Sequence, residues 1–93
     1  MKTITAKVSS QGSTSCHFIL QDIDGNKQIK RNMNHADFSV EAGKKYAMVI
    51  LVHGDPSTKY KLTISGATKA SYPTRELSIE GDGRDELGAR ITG

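Results

Sequence analysis

The sequence predicts an all-β fold: a small antiparallel β-sandwich of seven to eight strands, with a small β-barrel as the alternative. Three observations predict it. Residues 46–52, YAMVILV, form an unbroken apolar run. On either side of that run, apolar and polar residues alternate with a period of two, the signature of half-buried strands. Turn signals built from Gly, Pro, Asn and Asp recur about every ten residues, and no stretch carries a convincing helical period.

Each element follows from its residues. Ile4, Ala6 and Val8 alternate with Thr3, Thr5 and Lys7, giving a first strand with one wet face. The polar stretch from Ser9 to Ser13 turns the chain, and Cys16, Phe18 and Leu20 then alternate with His17, Ile19 and Gln21. Asp22-Ile23-Asp24-Gly25-Asn26-Lys27 is the strongest hairpin signal, because Asp-Gly supplies the positive φ of a tight turn. Residues 27–33 return from it. A short loop at 32–34 precedes a strand marked by Ala36, Phe38 and Val40. Ala42-Gly43-Lys44-Lys45 leads into the central strand, residues 45–53. Its apolar run is far shorter than the roughly 20 residues needed to cross a bilayer. Apolar residues at both parities predict a strand covered on both faces. Pro56, in the turn Gly54-Asp55-Pro56-Ser57, cannot donate to a ladder and ends the pairing. Tyr60, Leu62 and Ile64 then alternate with Lys59, Lys61 and Thr63 up to Gly66. Residues 70–72 form a short edge segment stopped by Pro73, and Leu77 and Ile79 mark another strand. Glu80-Gly81-Asp82-Gly83 turns the chain into a last strand carrying Leu87, Ala89 and Ile91, expected at a sheet edge. A single helical turn over residues 85–90 is the only helical option, and Gly88 opposes it. The passage from AGKKY at 42–46 to YKLTISG at 60–66 is similar to many Ig-like and jelly-roll modules, without a specific motif.

Composition bounds the function. A chain of 93 residues makes one domain, here residues 1–93. Net charge is +3, and the cations are scattered from Lys2 to Arg90, with Lys30-Arg31 and Lys44-Lys45 the adjacent pairs. Nucleic-acid binders of this size cluster such charge and interleave aromatics, so no nucleic-acid partner is expected. Residues 76–86 form an acidic segment on this basic body, which favours an oriented partner. The single cysteine, Cys16, excludes an internal disulfide. The first ten residues lack the apolar core of a signal peptide, so a cytoplasmic location without membrane insertion is the default expectation.

The chemistry-bearing residues are sparse. Cys16 and His17 are adjacent, and adjacent strand residues point to opposite faces, so thiol and imidazole cannot meet. Cys16 shares the face of Phe18 and Leu20 and reads as a buried, inert thiol. His17, His35 and His53 are evenly spaced, but a zinc site needs three or four ligands converging on one point, which spacing in a sheet does not supply. Asp22, Asp24 and Asn26 resemble part of a calcium loop. Gly25 at the fourth position and Met33 at the twelfth break the match. Glu80, Asp82, Asp85 and Glu86, interrupted by Gly81 and Gly83, are the better place for calcium, the one cofactor the sequence leaves open. His53, Asp55 and Ser57 hold the residue types of a hydrolytic triad, but consecutive turn residues do not deliver a nucleophile–base–orienter geometry. They read as a recognition loop at one end of a sandwich. Tyr72, beside Pro73, is the one aromatic outside the alternating core pattern and a candidate contact residue.

No constellation supports an enzyme, and a chain of this length leaves little room for a water-excluding pocket. The residues point to a non-enzymatic interaction or assembly module that binds another protein or itself through sheet edges and end loops. The alternative is a small-ligand module, either carbohydrate-binding or calcium-dependent. On the first reading the last strand pairs edge to edge with a second copy, and removing residues 86–93 leaves a folded monomer.

Overall fold

A computed structural model describes residues 1–93. Nine strands form: β1 Lys2–Ser10, β2 Thr14–Asp22, β3 Lys27–Met33, β4 His35–Val40, β5 Lys45–Gly54, β6 Lys59–Ser65, β7 Lys69–Ser71, β8 Leu77–Ser78 and β9 Arg84–Thr92. There is no helix, and residues 84–92 are strand throughout. The two shortest strands, of three and two residues, are the segments around Ala70 and Leu77 that the sequence marks only weakly.

The strands form two antiparallel sheets, ordered β4-β1-β6-β8 and β3-β2-β5-β9-β7. Both sheets keep open edges, so the fold is a sandwich and not a closed barrel. Of the links between successive strands, β2 to β3 is the tight hairpin within one sheet. All seven others cross from sheet to sheet, as connections in Greek-key sandwiches do. At the hairpin, Asp22 Oδ1 accepts the Asp24 and Asn26 amides at 2.9 Å each, and Gly25 takes φ +87°. Asp22 and Gly25 thus set the turn that aligns Gln21 with Lys27 and Ile19 with Ile29.

The core lies between the sheets. It consists of Ile79 and one residue in two from each long strand: Ile4, Ala6 and Val8 from β1; Cys16, Phe18 and Leu20 from β2; Ala36, Phe38 and Val40 from β4; Tyr46, Met48, Ile50 and Val52 from β5; Tyr60, Leu62 and Ile64 from β6; Leu87, Ala89 and Ile91 from β9. Apart from these, no polar or charged residue is fully buried. Cys16 is fully enclosed, and burial pushes its thiol up to about 11, opposed by a hydrogen bond with Thr14.

Two sequence expectations are corrected. β5 is indeed the middle strand of its sheet, but it is covered on one face only. Val49 and Leu51 are half-buried and Ala47 is exposed, because nothing packs on the outer side of the five-stranded sheet. β9 is not an edge strand: it pairs with β5 along its whole length and with β7 over Arg90–Thr92. Leu87, Ala89 and Ile91 face the core at 7%, 4% and 2% exposure, so they have nothing to offer an edge partner.

Candidate functional site

The end loops come first, because the sequence places its candidates there. The structure brings the 53–57 turn and the 80–83 turn side by side. Gly54 N–H donates to Gly83 O at 3.0 Å, Ser57 N–H to Ile79 O at 2.9 Å, and Ile79 N–H to Thr58 O at 2.9 Å. The lacing fixes both turns to the body, anchored by the buried Ile79.

The candidate side chains nevertheless diverge. His53 lies on the outer face of β5, edge-on to His17 of β2 with ring centroids 5.4 Å apart. His17 Nδ1 is buried and makes no hydrogen bond. His35 is on β4 in the other sheet, so the three histidines do not meet. Asp55 is exposed, its carbonyl accepting Thr58 N–H at 3.2 Å, and Ser57 is exposed with φ +68°. Tyr72 is not free: its hydroxyl receives Ile64 N–H at 3.1 Å and donates to Ile64 O at 3.4 Å, occupying backbone groups at the margin of β6.

The acidic residues scatter in the same way. Asp82 Oδ1 accepts Arg84 N–H at 3.1 Å. Asp85 points inward, accepts the hydroxyl of the buried Tyr60 on Oδ2, and takes Glu86 N–H on Oδ1 at 3.0 Å. Burial first, then the hydrogen bond and charge of Asp85, hold the Tyr60 phenol well above its usual range. Glu86 lies on the opposite face of the strand from Asp85. Glu80 and Asp82 stay exposed in the turn, and no three His, Cys, Asp or Glu side chains anywhere in the molecule converge as metal ligands would.

The outer face of the five-stranded sheet is a different matter. Register puts Ile29, Ile19, Val49 and Gly88 in one row across four strands, with Leu51 in the next row beside His17. Ile29 is 45% exposed, and nothing lies within 4 Å of where a Gly88 side chain would stand. The row is therefore an apolar stripe with a projection at one end and a vacancy at the other.

Toward the hairpin end of this face lies an open groove of about 830 Å³. Its lining includes Ile23 and Ala47, with Lys45, Lys69 and Arg90 around them. Two register rows build it: Lys45, Thr92 and Lys69 in one, and Gln21, Ala47, Arg90 and Ser71 in the other. The one carboxylate lining it, Asp22, is saturated. Besides the two amides already described, its Oδ2 receives Asn26 Nδ2 at 3.1 Å and Lys44 Nζ at 3.1 Å. Burial opposes its ionisation, but the Asn26 hydrogen bonds and Lys44 prevail and hold its pKa at about 2. Lys44 also reaches Asp24 at 3.5 Å and Glu41 at 3.9 Å. Sequence reasoning misses this groove, because its cations come from three strands far apart in the chain and none belongs to a local motif. The even alternation of β5 and β9 is the only signal that could have placed Lys45 and Arg90 on a common face.

No protein-family model matches the chain, and no curated protein or solved structure is significantly similar to it. No helix is long and apolar enough to cross a membrane.

Proposed function

We propose that this protein is a non-enzymatic assembly module that joins a second copy of itself through the outer face of its five-stranded sheet. The observation that carries this is the apolar stripe Ile29–Ile19–Val49 ending at the open Gly88. A two-fold axis along the strands sets Ile29 of one protomer over the partner's Gly88, and the reverse, so the surface complements itself as an isologous interface requires.

Three of the four sheet edges, β3, β7 and β8, offer less. β7 and β8 are only three and two residues long, and β3 carries Lys27, Lys30 and Arg31. Short edges and edge lysines both discourage strand addition. On the free side of β9, the Arg84 and Glu86 amides are already taken by the Asp82 and Asp85 carboxylates. A non-enzymatic role is supported by the buried, poorly ionising Cys16 and by the divergence of His53, Asp55 and Ser57.

Sedimentation analysis tests the reading. The wild-type chain is expected to dimerise with rising concentration. Val49→Glu, which puts a charge in the stripe at a half-buried position, is expected to remain folded and monomeric. A wild-type chain that stays monomeric at every concentration overturns it.

A further inference from the structure

The groove at the hairpin end is lined by three cations, Lys45, Lys69 and Arg90, and a single carboxylate, Asp22. Lys45, Lys69 and Arg90 take part in none of the ion pairs of the molecule, which involve Lys44 and Lys59. Thr92 lies between Lys45 and Lys69 in one row, Ser71 flanks Arg90 in the other, and Gln21 adds an amide. Lys45 and Lys69 sit on strands two apart, on the order of 10 Å between backbones, with Arg90 one row further along the sheet. Long side chains at three corners of such a triangle can close on one small anion from three directions. The one lining carboxylate, Asp22, is tied up by Lys44, Asn26 and the hairpin amides, and the other two carboxylates that Lys44 meets, Asp24 and Glu41, do not line the groove.

The groove is also too large for a bare oxyanion. Its volume of about 830 Å³ falls within the range of organic-ligand sites. Ile23, 76% exposed on the hairpin tip, lines it, and Ala47 gives it an apolar patch beside Arg90. Cations and hydroxyls beside small apolar surface suit a dianionic head on an organic body.

We propose that this groove binds a phosphate monoester, with Lys45, Lys69 and Arg90 holding the phosphate and Ile23 and Ala47 contacting the organic group. Arg90 engages two phosphate oxygens through its planar fork, while the lysines act as point charges. The site is separable from the self-association proposed above, because Val49 lies outside the groove.

The test is a titration of the full-length chain followed by amide chemical shifts, on the wild type and on Val49→Glu. Three probes are used: inorganic phosphate, glycerol 3-phosphate, and vesicles of phosphatidic acid against vesicles of phosphatidylcholine. Glycerol 3-phosphate is expected to shift the amides of Lys45, Lys69, Ser71, Arg90 and Thr92 in both proteins, and to bind more tightly than inorganic phosphate. Arg90→Gln and Lys69→Gln are each expected to weaken binding by about tenfold, as loss of a charge-assisted contact does, with unchanged denaturation midpoints. Selective binding to phosphatidic acid vesicles with no response to the soluble ester also supports the site and places its ligand on a membrane surface. Shifts spread evenly over all surface lysines, or affinities untouched by Arg90→Gln and Lys69→Gln, overturn the proposal. So does a loss of self-association in the groove variants with no phosphate response in the wild type, which assigns the groove to the acidic 80–83 turn of a second copy. Binding that persists in a monomeric Val49→Glu chain isolates this inference from failure of the dimer.

Discussion

At the scale of single residues, polar side chains do the joining that this small apolar core leaves undone. Asp22 ties the β2–β3 hairpin to Lys44 in the β4–β5 loop, and the Tyr60 hydroxyl binds Asp85 across the two sheets. The Asp22 cluster sets an acid limit. Its carboxyl has a folded pKa of about 2 against an ordinary value of 3.8. A depressed carboxylate contributes stability that is complete above the ordinary value and is lost as pH falls toward the folded one. The expected outcome is that Asp22→Asn is less stable than the wild type at neutral pH, and that the gap narrows between pH 3.8 and about 2. Urea denaturation across that range measures it, and a gap independent of pH refutes the assignment. Lys44, whose pKa is raised chiefly by its hydrogen bond with Asp22, works in the opposite direction: its share fades only on the alkaline side.

At the scale of elements, β5 and β9 are the paired spine of the larger sheet. Nine residue pairs join them, from Lys45–Thr92 to His53–Arg84. Removing residues 86–93 therefore strips Leu87, Ala89 and Ile91 from the core and exposes one side of β5. Burial of a Leu or Ile side chain is worth about 1.5–3 kcal/mol each, against a total stability of roughly 5–15 kcal/mol for a domain. The loss of two such side chains with a whole ladder exceeds what a chain of this size can spare. The truncated chain is expected to be unfolded, read as collapsed amide dispersion, whereas a folded monomer would restore the view of β9 as a dispensable edge.

At the scale of the whole molecule, the outer face of the five-stranded sheet sets stability against association. Gly88 occupies a strand interior, has ordinary negative-φ backbone and has open space at its Cβ position. Glycine there weakens the strand, and a β-branched residue fits the pleated surface better. Gly88→Val is expected to stabilise the monomer by about 0.5–1 kcal/mol. The same change fills the vacancy opposite Ile29 and is expected to weaken the dimer. Thermal melting and sedimentation on one variant read the two effects, and a parallel change in both would show that the vacancy plays no part in the interface. The ends of the molecule differ in charge as well, with Glu80 and Asp82 at one end of β9 and Lys45, Lys69 and Arg90 near the other.

The strands and their inward faces were legible in the sequence because they depend on local alternation. Cys16, Phe18 and Leu20 share one parity, as do Tyr60, Leu62 and Ile64, and each triplet is buried as its pattern requires. Asp22 to Lys27 encodes its hairpin within six residues, and Pro56 marks the turn that follows β5. What lies across from each strand is not encoded locally. The run at 46–52 carries apolar residues on both parities, and nothing in it distinguishes a strand covered by two layers from one left open on a wide sheet. Leu87, Ala89 and Ile91 read the same whether β9 is at an edge or in the interior, because pairing partners are chosen by long-range packing. The candidate loops met each other as sequence alone could not foretell, yet their side chains turned apart, since turn position does not set direction. The groove of Lys45, Lys69 and Arg90 exists only through the registers of β5, β7 and β9. Sequence by itself determined where strands begin, which side chains they turn inward and that the fold is all-β. Tertiary structure decided which strands are neighbours and which outward residues stand together, because those depend on contacts between segments that no local pattern connects.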